Sequence, residues 1–156
     1  MEKTILSKQN KYLEDVGIVL MEHFSPRNFI SQSDLESFMK VSSGKYTIGL
    51  GQQRMRFCSK LEDVNSLAMT VTRRLLSRCT HYLSKIGRLE YATETLLDKS
   101  KSTKTILIDV LKSFLHGKSS EFFDQLEGIT NLNACYGGTA AIVNCINWVR
   151  EQRAIG

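Results

Sequence analysis

Residues 133–141 read Asn-Ala-Cys-Tyr-Gly-Gly-Thr-Ala-Ala, NACYGGTAA. The stretch before it, 127–134, reads as a strand. Behind it, Ile142, Val143, Ile146 and Val149 recur at helical spacing with Trp148 beside them, which predicts a helix buried along that stripe. Cys135 therefore falls where a strand turns into a helix. A helix start directs unpaired N–H groups and the positive end of its dipole toward such a residue. Both effects favour thiolate over thiol. Gly137 and Gly138 carry no side chains, so a substrate can approach the backbone closely. A backbone N–H at the turn can also hold the oxygen of a tetrahedral intermediate. The competing reading is a cysteine packed as a small hydrophobe. That reading is preferred for Cys58, Cys79 and Cys145, which lack this setting.

Working outward, the apolar run 16–21, VGIVLM, reads as a buried strand. Ser33-x-x-Glu36 has the form of a capping box and opens a helix with Leu35, Phe38 and Met39 on one side. The glycine-rich stretch 43–52 reads as a loop. Its Gly49-x-Gly51 lacks the third glycine of a dinucleotide fingerprint. Ser59-x-x-Glu62 is expected to cap a helix whose apolar stripe is Val64, Leu67, Ala68, Val71 and Leu75, with Arg73, Arg74 and Arg78 on a solvated edge. Residues 86–95 read as a strand entering a turn. Ser100 or Ser102 caps a further helix carrying Ile106, Val110, Leu111 and Phe114, and Gly117 ends it. Strands alternating with helices make this an α/β chain.

The chain has 156 residues, 42% hydrophobic and 24% charged, enough for one domain with a real core. The net charge of +5 suits anionic ligands. No aromatics interleave with the Lys and Arg as a base-stacking platform requires, so nucleic acid is not expected as a partner. The cysteines have no Cys-x-x-Cys spacing, and no histidine is placed so as to suggest a zinc site, so no metal is expected. No apolar run approaches membrane-spanning length, and no membrane association is expected. Free thiols without a signal or transit pattern point to the cytoplasm.

With those residues in view, LNACYGGTAA followed by NCINWV resembles the nucleophile segment of the 3-hydroxy-3-methylglutaryl-CoA (HMG-CoA) synthase family, within the thiolase-like superfamily. Three further stretches are similar in the same order: GKYTIGLGQ (44–52), EDVNSLAMTV (62–71) and IGRLEYATETLLDKSKS (86–102). The resemblance implies acetyl transfer from acetyl-CoA to Cys135 as a thioester. It implies proton abstraction from the acetyl methyl by Glu94, attack on acetoacetyl-CoA, and hydrolysis to HMG-CoA, a step of the mevalonate route to isoprenoids and sterols. A base that takes a proton from carbon needs positioning and partial desolvation. Glu90 is the nearby rival but falls outside the family's position for the base. Ser42, Ser43 and Lys45 match substrate-contacting positions, with Lys45 suited to CoA phosphates.

The resemblance also implies a partial thiolase-like fold, the incomplete first half of an αβαβα sandwich, over residues 15–156, with 1–14 as an N-terminal extension. It implies a homodimer in the full-length family and no cofactor beyond the CoA thioester substrates. The family's catalytic histidine has no counterpart in His23, His81 or His116; His116, at an expected helix C-terminus, is read as a surface residue, and His23 and His81 are given no special role. The chain alone is accordingly expected to be unstable and not to catalyse condensation. Two alternatives are a non-catalytic interaction protein and another thiolase-like condensing enzyme.

Overall fold

The computed structural model describes residues 16–114 and 120–155. The expected extension 1–14, His116 and Gly117 lie outside these residues. The elements in chain order are β1 (Phe29–Ser31), α1 (Gln32–Phe38), β2 (Arg54–Arg56), α2 (Val64–Arg78), β3 (Tyr91–Ala92), α3 (Thr103–Ser113), β4 (Thr130–Asn131) and α4 (Gly137–Ile155). Short 3-10 turns fall at Thr80–Lys85, Ser120–Gln125 and Ala134–Tyr136.

The core forms where the periodic segments meet. Leu76, Leu83, Val110, Leu111, Phe123 and Leu126 are buried together, with Met69, Ile86, Leu89 and Phe114 packed against them. Each fully buried side chain of this kind contributes about 1.5–3 kcal/mol. Asp63 starts α2 with a reciprocal box: its Oδ1 accepts from Ser66 N at 2.7 Å, and its N–H donates to Ser66 Oγ at 2.8 Å. The expected Ser59–Glu62 box instead closes the preceding turn, where Glu62 accepts from Ser59 N. Thr103 Oγ1 donates to Asn65 Oδ1 at 2.8 Å, tying α3 to α2. The Arg73, Arg74 and Arg78 edge is exposed as expected. Arg78 there pairs with Glu22, and Arg74 stacks on Phe24.

β3 and β4 are parallel, with Tyr91 opposite Thr130 and Ala92 opposite Asn131. Backbone bonds extend the pairing in both directions: Glu127 N to Gly87 O at 3.1 Å, Leu89 N to Glu127 O at 2.9 Å, Tyr91 N to Ile129 O at 3.0 Å, and Thr93 N to Asn131 O at 3.1 Å. Gly128 has φ +124, and a Cβ there would lie 1.9 Å from Leu89 O, so only glycine permits this approach. Successive strand side chains point to opposite faces. Leu89 packs on the core and the Tyr91 hydroxyl donates to Val64 O of α2. Glu90 and Ala92 face α4, through Asn144 and the Cβ position of Gly137. The small parallel sheet is thus layered between α2 and α4.

β1 and β2 pair antiparallel, Phe29 with Arg56 and Ser31 with Arg54. Together with α1 they form a second unit whose contacts are chiefly internal.

Four further sequence expectations are corrected. Residues 16–21 are not a buried strand: Ile18, Val19 and Met21 are exposed, and among the described residues no strand pairs with them. An apolar run becomes a strand only where it finds a hydrogen-bonding edge. The buried residues of α1 are Gln32 and Glu36, whereas Phe38 and Met39 are exposed. Its N-cap is Ser31, and Glu36 reaches forward to a loop instead of back to a cap. In α4, Ile142 and Val143 are exposed, because Gly137, Asn144 and Trp148 form the face against the strands. Those three share one side of a helix at i, i+7 and i+11. Finally, Cys58 is exposed in the stretch between β2 and α2, not packed in a core.

Candidate active site

Parallel strands deliver the residues after them to the same edge of a sheet. Beyond β3 and β4 these are Thr93-Glu94 and Leu132 to Cys135. After β4 the chain tightens into the 134–136 turn, with Ala134 at φ +34 and Tyr136 N donating to Asn133 O at 3.0 Å. Cys135 stands in this turn, exposed, one residue from the start of α4 with Tyr136 between. Gly137 brings the helix start against the strands: a Cβ there would sit 3.4 Å from Ala92 Cβ and 3.8 Å from Asn131 O. Nothing lies within 4 Å of the Cβ position of Gly138, so the first turn of α4 opens to space. Gly137 N–H is taken by Ala134 O of the preceding turn, so any N–H open to a ligand there belongs to the residues that follow it.

Glu94 comes after the last ladder bond of the β3 segment and is exposed. Glu90, Ala92 and Glu94 lie at strand period. The chain bends at Glu94, just past the strand, so its position is set by the end of β3 and not by the alternation of the strand.

Glu90 is differently placed. Its side chain is 1% exposed. Oε1 accepts from Arg88 Nε at 2.8 Å and Nη2 at 2.7 Å, and Oε2 accepts from Asn144 Nδ2 at 3.1 Å. Both oxygens are therefore engaged in a clamp between the strand and α4, and neither faces a substrate. Cys145 is half-buried beside it, and burial followed by the Glu90 charge pushes its thiol above the ordinary range. Arg88 and Asn144 lie inside the stretches quoted above, but nothing in the sequence marks them as the partners of Glu90. Their roles depend on partners far along the chain. Arg88→Ala would leave the Glu90 carboxylate buried without its cation. We expect it to lower unfolding free energy in urea by about 3–5 kcal/mol, whereas Arg88→Leu combined with Glu90→Leu costs much less.

Ser42, Ser43 and Lys45 are exposed on a turn in the β1–α1–β2 unit, where Lys45 N donates to Ser42 O at 3.1 Å. That turn hangs from the Glu36 carboxylate. Among the described residues no hydrogen bond or ion pair joins it to Glu94 or Cys135. The structure therefore gathers Glu94 and Cys135 at one edge and holds the three loop residues on a separate unit. His23 and His81 are exposed; His23 bonds Ser25 Oγ, and His81 lies against Tyr82.

Among the described residues no helix is long and apolar enough to cross a membrane. The family model for the hydroxymethylglutaryl-coenzyme A synthase N terminal matches residues 12–156. The mitochondrial hydroxymethylglutaryl-CoA synthase of Rattus norvegicus is 46% identical over 147 residues, covering 94% of this chain and 28% of that protein. The cytoplasmic enzyme of Gallus gallus is 48% identical over 139 residues, 89% of this chain and 25% of that protein. The chain thus spans little more than a quarter of the relatives it matches. Among solved structures, MvaS in complex with 3-hydroxy-3-methylglutaryl coenzyme A aligns at TM-score 0.71 and 29% identity, over 88% of this chain and 31% of that one. A β-ketoacyl-[acyl carrier protein] synthase III from Thermus thermophilus, 18% identical, aligns at TM-score 0.63 over 83% of this chain and 37% of that one, a likeness of fold alone. The architecture is thiolase-like, in part, and the chain belongs to the hydroxymethylglutaryl-CoA synthase N-terminal family.

Proposed function

We propose that this chain carries the acetyl-accepting nucleophile and the carbon base of an HMG-CoA synthase, an acyltransferase. The Cys135 thiolate attacks the carbonyl of acetyl-CoA. Sγ–C forms, the CoA sulfur leaves, and a proton returns to it. Glu94 then removes a proton from the acetyl methyl. The resulting enolate attacks the ketone of acetoacetyl-CoA, and water releases HMG-CoA from the cysteine. The open first turn of α4 supplies N–H groups for the oxygen of each tetrahedral intermediate.

What supports the reading is that Glu94 and Cys135 each follow one of two paired parallel strands, with Cys135 one residue from a helix start. We assign acylation and methyl deprotonation to these two residues; His23 contacts Ser25 and His81 contacts Tyr82, and neither is given a part. Ser42, Ser43 and Lys45 are assigned to the CoA substrate. We further propose a cytoplasmic homodimer, on the ground of its unpaired thiols and its family. The substrates are CoA thioesters, with no resident cofactor.

Incubation with acetyl-CoA, followed by intact mass and peptide mapping, tests this. The expected result is one added acetyl group, on the peptide containing Cys135 and labile to hydroxylamine. No adduct, or one confined to Cys58, overturns the proposal. A second reading, a non-catalytic interaction protein, rests on exposed Tyr136, Ile142 and Val143 beside the site. Binding of a protein partner without adduct formation would favour it.

A further inference from the structure

The turn holding Ser42, Ser43 and Lys45 is built around one acidic side chain from a helix. Glu36 is 5% exposed. Its Oε2 accepts from Gly44 N at 2.8 Å. Its Oε1 accepts from Tyr46 N at 2.7 Å, Thr47 N at 2.8 Å and Thr47 Oγ1 at 3.1 Å. No ion pair involves Glu36 among the described residues, so its charge is balanced by these dipoles. The turn also closes on itself: Ile48 N and Gly49 N both donate to Gly44 O, at 3.0 and 2.9 Å, with Gly44 at φ +87. With the backbone amides turned inward to Glu36, the side chains of Ser42, Ser43 and Lys45 are left facing solvent.

We infer that Glu36 is a positioning residue for CoA thioester binding: its carboxylate gathers the amides of Gly44, Tyr46 and Thr47, and so fixes the turn that presents Ser42, Ser43 and Lys45. The inference rests on the assignment of that turn to the substrate. Its chemistry is specific to a carboxylate. An amide at position 36 keeps one acceptor oxygen and turns an N–H donor toward other N–H donors. Buried donors left unpaired are costly, and bonds to a charged acceptor are the stronger ones.

The bonds from Thr47, Gly44 and Tyr46 hold the Glu36 carboxyl at about 2, against its ordinary 4.5. A carboxylate with a lowered folded value stabilises above the unfolded value and loses that contribution as pH falls toward the folded one. Protection of these three amides should therefore be complete above pH 4.5 and fall away toward about 2.

The test compares the parent with Glu36→Gln, Glu36→Asp and Thr47→Val. Amide hydrogen exchange is followed across 42–52, and acetylation of Cys135 is followed against acetyl-CoA concentration. Glu36→Gln should speed exchange at Gly44, Tyr46 and Thr47. It should raise the half-saturating acetyl-CoA concentration about tenfold, well beyond any fall in the maximal rate. Glu36→Asp should recover part of this. Thr47→Val, which removes a single donor, should shift the same quantities less and keeps the test available if Glu36→Gln fails to fold. A parent that is acetylated, with half-saturation unmoved in Glu36→Gln, or in Thr47→Val where the former does not fold, overturns the inference alone. A parent that is never acetylated overturns the functional assignment and the inference with it.

Discussion

Cys135→Ala is expected to abolish acetyl transfer from acetyl-CoA to the protein altogether. The residue is exposed in a turn one step from α4, and its neighbourhood is open above Gly138. Cys58 is exposed too, but it stands in an irregular stretch with no helix start at hand. It therefore serves as an internal control: alkylation of Cys58 should persist in the variant. Cys135→Ser sharpens the result. It keeps the shape but replaces an intrinsically nucleophilic sulfur by a hydroxyl that needs a base to activate it. Among the described residues no such base bonds position 135, so the serine variant should also fail to accumulate adduct. A serine variant acetylated as fast as the parent would show that some other property of the turn drives the transfer.

Glu94→Gln is expected to leave formation of the acetyl adduct nearly intact while slowing loss of its methyl protons by about 10²–10⁴-fold. The two steps separate because attack by sulfur needs no proton from carbon. The readout is washout of deuterium from a trideuteroacetyl group on Cys135, followed by mass spectrometry in ordinary water. Glu94 is exposed, so the substitution should move stability by no more than about 0.5 kcal/mol. Unchanged washout would remove Glu94 from the role. Glu90 would not inherit it, since both its oxygens are committed to Arg88 and Asn144.

The parts of the fold that were legible in the sequence are those whose partners lie within a turn or two. α2 and α3 announce themselves by apolar residues at helical spacing, and Val110 and Leu111 are each 2% exposed in the core. The strand-to-helix junction at Cys135 was legible for the same reason, because turn, glycines and helix start are contiguous. What escaped was long-range or polar. Ser33-x-x-Glu36 has the pattern of a cap, yet the Glu36 partners lie eight to eleven residues onward in the chain. Asn144 meets Glu90 across 54 positions. Residues 16–21 have the composition of a buried strand, but composition does not supply the edge on which a strand must form. In α4 the apolar stripe was real while the face turned to the strands was another, defined by small Gly137 and polar Asn144.

The close approach of Gly128 to Leu89 has a consequence for the pair proposed to react, Glu94 and Cys135. The offset between Glu94 and Cys135 is inherited from the alignment of β3 on β4, and that alignment tolerates no intermediate setting. A slip by one residue would displace one group by about 3.3 Å along the sheet and invert the faces of its strand. Proton transfer works over about 2.6–3.2 Å between heavy atoms, so a single misregistered step exceeds the whole tolerance of the chemistry. A missing side chain in the backbone ladder thereby acts as the gauge block for the chemistry proposed at the end of it.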